Sequence, residues 1–73
     1  MMTLENYREA ATLAERARVA GIITALATHL DVRTAGRIAL QDTTLTPELA
    51  TVRAAEAVRS GRSVAEAFGL RIN

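Results

Sequence analysis

Tyr7, Ala10, Ala14, Ala17 and Ala20, followed by Ile23, Leu26 and Leu30, recur at intervals of three or four residues. That is the period of one face of an α-helix. The pattern predicts a first helix from about Leu4 or Tyr7 to Leu30. Asn6 with Glu9 reads as a capping box at its start, and Thr3 is a competing cap. Up to Ala20 the face is almost all alanine; beyond Gly21 it turns large and branched. Gly21 costs about 1 kcal/mol against Ala in a helix interior. It marks either a bend or the close approach of another helix. Glu15 and Arg18 are placed as an i,i+3 pair on the solvated side.

Asp31 is a good N-cap for a second helix over about 32–41, with Val32, Ala35, Ile38 or Ala39, and Leu40 turned inward. Gly36 weakens it. Asp42-Thr43-Thr44 is polar and turn-like. Thr46-Pro47-Glu48 is the clearest local signal: a cap oxygen, a proline at N1 and an acid at the positive end of the helix dipole. The third helix then runs over 47–60. Leu45 is set to reach Leu49 or Val52 as a staple. Leu49, Val52, Ala55 and Val58 supply its apolar side, and Gly61 closes it in a positive-φ conformation. Ser63-Val64-Ala65-Glu66 is a capping box opening a short fourth helix over 64–69, with Val64, Ala67, Phe68 and Leu70 apolar. Nowhere do apolar and polar residues alternate over five or more positions, so no strand is expected. The expectation is one all-α domain over 1–73, a small bundle of three to four helices with a long first helix.

Composition sharpens this picture. Hydrophobic residues make up 49% of the 73, but fifteen of them are Ala and the aromatics are Tyr7 and Phe68 alone. Alanine favours helices and buries little area, so the core is thin. A chain of this size buries only about 60% of its unfolded surface. The first helix, about 37 Å long by its predicted length, is too long for the others to cover. Its N-terminal half is expected either to project or pack on another copy, because small residues at helical spacing permit close helix approach, or to fold its face into the local core.

The charges narrow the chemistry. Nine basic residues, all Arg, face eight acids, for a net charge of +1. No lysine is present for a Schiff base or a phosphate loop, and no broad positive field marks a strong DNA binder. Absence of cysteine removes disulfides and thiolate metal sites. His29 stands alone without a nucleophile or acid arranged around it, and a histidine near a helix end often just complements the dipole. The acids show no metal-ligand spacing, and the glycines stand singly at 21, 36, 61 and 69, so no metal, cofactor or catalytic site is expected. The longest uncharged stretch in the first half, from Val19 to Leu30, is too short to span a bilayer. The N-terminus lacks the pattern of a signal peptide, so a cytoplasmic protein is expected.

Two readings of function remain. Residues 57–73 resemble the first half of a helix-turn-helix, with Arg53, Arg59, Arg62 and Arg71 as phosphate contacts. No recognition helix follows to enter a groove, and a capped helix closed by glycine is the commoner explanation. The other reading is protein–protein interaction. AERARVAGIITAL (14–26) and HLDVRTAGRIALQDTTLTPELATV (29–52) resemble the helical segment downstream of the protease domain in tailed-phage prohead proteases of the ClpP-like and signal-peptide-peptidase-like type. Glu15, Arg16, Arg18, Val19 and Ile22 match an E-R-x-R-I/V-x-x-I element of those segments. Leu45, Thr46, Glu48 and Ala50 match a later L/M-S/T-x-E-x-A element. The close AVRSGRSVAEAF (57–68) is similar to the end of such tails. The resemblance implies a scaffold-like role beside coat protein in head assembly. It carries over no catalytic residue, since the family's serine and base lie in the upstream domain. The contact residues expected from all this are Tyr7, Ala10 and Ala14, rimmed by Arg16 and Arg18, in a homo-oligomer or against another protein. A small regulatory protein of antitoxin type is the alternative.

Overall fold

The computed structural model describes residues 3–69, with the side chain of Tyr7 outside the description. Four helices follow in order: α1 (Leu4–Leu26), α2 (Val32–Gln41), α3 (Pro47–Arg59) and α4 (Val64–Ala67). No strand occurs among the described residues. The fold is the small all-α bundle with a long first helix that the pattern predicts. α1 packs against both α2 and α3, and α4 packs on α3.

Local signals set most boundaries. Thr3, not Asn6, is the N-cap of α1: its Oγ1 accepts from the Asn6 amide at 3.3 Å. Asn6 lies inside the first turn as a donor, so the expected Asn6–Glu9 box gives way to a cap one turn earlier. α1 also stops at Leu26, not Leu30. Ala27 bonds back to Thr24 and His29 to Leu26, the tighter three-residue return that often closes a helix. This turn brings Asp31 into an extended conformation and folds α2 back along α1. Asp31 occupies the N-cap position but makes no cap hydrogen bond. Thr46 and Ser63 cap α3 and α4 through Leu49 and Glu66 amides. Gly61, with φ of 68°, closes α3. Its amide bonds to the Val58 carbonyl and that of Arg62 to Ala57, the paired bonds of a Schellman ending. α4 is shorter than expected, ending at Ala67 with Phe68 as its C-cap.

The core sits where the C-terminal third of α1 meets α2 and α3. Among the described residues Ile22, Leu26, Ile38 and Leu45 are the largest fully buried side chains, and no polar or charged residue is buried. Alanines fill the rest: Ala35, Ala39, Ala50, Ala54 and Ala57. Here the faces differ from the predicted ones. In α1, Ile22 rather than Ile23 is fully buried, and Ala10, Ala14, Ala17 and Ala20 are exposed. In α2, Val32 and Leu40 face solvent while Ala35, Ile38 and Ala39 face inward. In α3 the buried face is Ala50, Ala54 and Ala57, and the larger Leu49, Val52 and Val58 stay about half exposed. Two stripes at helical spacing competed for the inside, and the small one won. The reason is close approach: an added Cβ on Gly21 would lie 2.6 Å from Pro47 Cγ. With α3 held that near α1, alanine fits between the helices and a branched side chain does not. Gly21 therefore marks close approach, one of the two readings its position allowed.

The connection between α2 and α3 is fixed by its own polar groups. Asp42 Oδ1 accepts from the Thr44 amide at 3.0 Å and from its hydroxyl at 2.6 Å. This turn drops Leu45 into the core, 1% exposed, and leaves Thr46 to cap α3.

Candidate interaction surface

From Thr3 to Ala17 every residue of α1 with a described side chain is exposed, including Leu4 at 69% and Leu13 at 64%. Burial begins only at Arg18 and Val19. The first part of α1 is thus an arm of about 14 residues, roughly 21 Å long, projecting from the bundle. The molecule measures 51 × 23 × 17 Å along its principal axes accordingly. Each residue turns a helix by about 100°. Ala10, Ala14 and Ala17 therefore line one side of the arm, flanked by Leu4, Ala11 and Leu13. Glu5, Arg8, Glu9, Glu15 and Arg16 share the other side. The bare stripe leads directly to Gly21, where the same side of α1 is covered by Pro47 at the start of α3.

Ala10 and Ala14 share one side of the free arm and Arg16 lies on the other, all three exposed. The Tyr7 side chain, the third apolar contact expected there, lies outside the described residues. Arg18 is different. Its Nη1 donates to the carbonyls of Asp42 at 3.1 Å and Leu45 at 2.9 Å, and its Nη2 to that of Ala39 at 2.8 Å. Nε and Nη2 also engage the Glu15 carboxylate. Ala39 and Asp42 belong to the end of α2, whose last carbonyls have no partner within the helix. A cation there also complements the negative end of the dipole. With its side chain 14% exposed, Arg18 is a clamp within its own chain, not a rim contact. The hydrogen bond from Arg18 holds the Glu15 carboxyl below its ordinary pKa, and Glu15 raises the Arg18 guanidinium. Asp42 is likewise lowered, chiefly by the Thr44 hydroxyl, and Asp31 by the nearby Thr34 hydroxyl. Sequence reading missed the clamp because its carbonyl partners lie 21 to 27 residues away. Only the E-x-x-R spacing hinted that the side chain was held.

A second surface lies across α1 from the alanine stripe. Val19, Ala20, Ile23 and Leu40 line an open apolar groove of about 330 Å³ between α1 and α2, with Glu15 and Arg16 at its rim. Leu40 is 69% exposed at its edge.

Of the arginines in the nucleic-acid reading, Arg53 has an aromatic partner. The Arg53 guanidinium lies 5.5 Å from the centre of the Phe68 ring, a cation–π contact that ties α3 to the end of α4. Arg59 and Arg62 are exposed, and Arg71 lies outside the described residues. α4 spans four residues. His29 is exposed beyond the end of α1. Among the described residues no group of His, Asp or Glu could hold a metal ion, and no helix is long and apolar enough to cross a membrane.

The fold and this surface define a class no narrower than a small all-α protein with one projecting helical arm. No family model, curated protein or solved structure matches the chain.

Proposed function

We propose that the chain is a non-enzymatic protein–protein interaction module of the cytoplasm, and that the arm of α1 is its working surface. One observation carries this reading: residues 4–17 form a helix whose uncharged face is exposed at every position with a described side chain. An isolated helix shorter than about 12–15 residues is marginal in water, and most helices in proteins owe their stability to packing of an apolar face. Here that packing is missing from the chain itself, and a partner supplies it. The resemblance to prohead-protease tails suggests the particular form, a scaffold-like role in head assembly with coat protein as a partner.

Hydrogen exchange tests the reading. At a concentration where the chain sediments as a monomer, amides of residues 4–17 are expected to exchange much faster than those of residues 18–26. They are expected to slow when the chain is concentrated or when a coat protein is added. Protection of residues 4–17 in the monomer equal to that of residues 18–26 would overturn it, since the arm would then be packed within one chain.

A further inference from the structure

We propose that the arm's occupant is the arm of a second copy, running antiparallel about a two-fold axis near residue 12. This rests on the reading of the arm as an interaction surface and names its partner. Position 7, Ala10, Ala14, Ala17 and Gly21 follow a strict three-four alternation, the spacing of the seam positions of a coiled coil. Through residues 4–17 the seam and its immediate flanks hold no charge: Leu4, Asn6, Ala10, Ala11, Leu13, Ala14 and Ala17. With alanine in the seam, two such helices approach at the short end of the usual 8–10 Å interaxial range. Charges set further round each helix then reach across.

The covered end of the seam selects the direction: at Gly21 the same side of α1 carries the start of α3, so parallel copies would bring their third helices together there, whereas antiparallel copies keep each bundle beyond the other's tip. In an antiparallel pair the same flank of each helix meets the same flank of its partner. Layering Ala10 on the second copy's Ala14 brings Arg8 opposite Glu15 on one flank and Glu9 opposite Arg16 on the other. The two-fold axis repeats both, giving four complementary pairs from residues that are all exposed in the single chain. A parallel pair sets unlike flanks together, Arg8 near Glu9 and Glu15 near Arg16, so the charges fit a second copy in either direction and the covered end of the seam decides between them. Length agrees. The free arm ends where α2, α3 and their connection begin to cover α1, at Arg18, so two arms overlap end to end and each tip stops at the other copy's bundle. An overlap of roughly 21 Å is small for an interface, so the dimer is weak and concentration-dependent.

The chain has no cysteine, which makes single-cysteine cross-linking clean. With a short bismaleimide, Ala11→Cys is expected to cross-link to itself, because residue 11 lies beside the axis. Leu4→Cys is not, because the two copies of residue 4 lie about 24 Å apart along the pair. Neither side chain reaches the core, and circular dichroism confirms the fold of each. In sedimentation, Glu9→Arg is expected to weaken the dimer roughly ten-fold, and Glu9→Arg with Arg16→Glu to restore it. Equal cross-linking at 4 and 11 means a parallel pair and overturns the inference. A monomer at every concentration, with no cross-link, also overturns it. In both cases the arm remains an interaction surface unless hydrogen exchange shows it protected in the monomer.

Discussion

The two parts of α1 are one continuous helix, yet they are held by different forces. Residues 18–26 carry Ile22 and Leu26, both with no exposed surface, and a glycine against which α3 rests. Residues 4–17 carry alanines, two exposed leucines and five charges, and are exposed wherever their side chains are described. Composition does not separate them sharply, since alanine fills the core of α3 as well as the arm. Alanine becomes core only where a second helix comes close enough to cover it. On the arm none does, and the same residue is left as a bare seam.

Substitution separates the two parts most sharply at the buried large residues. Leu26→Ala is expected to destabilise by about 2–5 kcal/mol, and Leu13→Ala by no more than about 0.5 kcal/mol. Urea unfolding measures both; similar costs would mean that the arm is packed in the monomer. Next comes the point where the two parts meet. Gly21→Ala drives a methyl into the Pro47 ring, which has no flexible end to yield, and is expected to cost about 1–3 kcal/mol. Its counterpart Ala14→Glu on the arm should leave the monomer's unfolding midpoint unchanged while abolishing dimer sedimentation. Arg18→Met removes the donor to three carbonyls. It is expected to lower the Tm by roughly 5–10 °C, while Arg16→Met on the free arm leaves it in place.

Smaller effects follow. Gly36→Ala adds a Cβ at an ordinary 3.9 Å from Ile23 Cδ1, inside a helix that the glycine weakens. It is expected to stabilise by about 0.5–1 kcal/mol, the opposite sign to Gly21→Ala. The acid response is smaller still. Glu15, Asp31 and Asp42 all have folded pKa values below their unfolded ones. Their contribution is therefore complete above the unfolded values, near pH 4, and is lost as the pH falls through the folded ones. All three are screened by solvent, so the Tm should stay flat from pH 7 to about 5 and decline gently below pH 4. A decline beginning near neutral pH would point to a group outside these three.

The sequence by itself determined the elements and where most of them begin and end. Thr46-Pro47-Glu48, Ser63 and Gly61 act through bonds to residues three to five positions away, so their meaning is local and readable. Thr3 and Asn6 were equally readable as caps, and the choice between them turned on one hydrogen bond. Length left the first half of α1 either to project or to fold into the local core, and only the tertiary structure decided for the arm. What the tertiary structure decided is which face of each helix lies inside. Leu49, Val52 and Val58 outweigh Ala50, Ala54 and Ala57 in hydrophobicity, and nothing local says that they lose. The outcome depends on the distance between α1 and α3, set by a glycine and a proline 26 residues apart in the chain. The role of Arg18 was hidden for the same reason. Its partners are backbone carbonyls that carry no side-chain signature, brought to it only when α2 folds back.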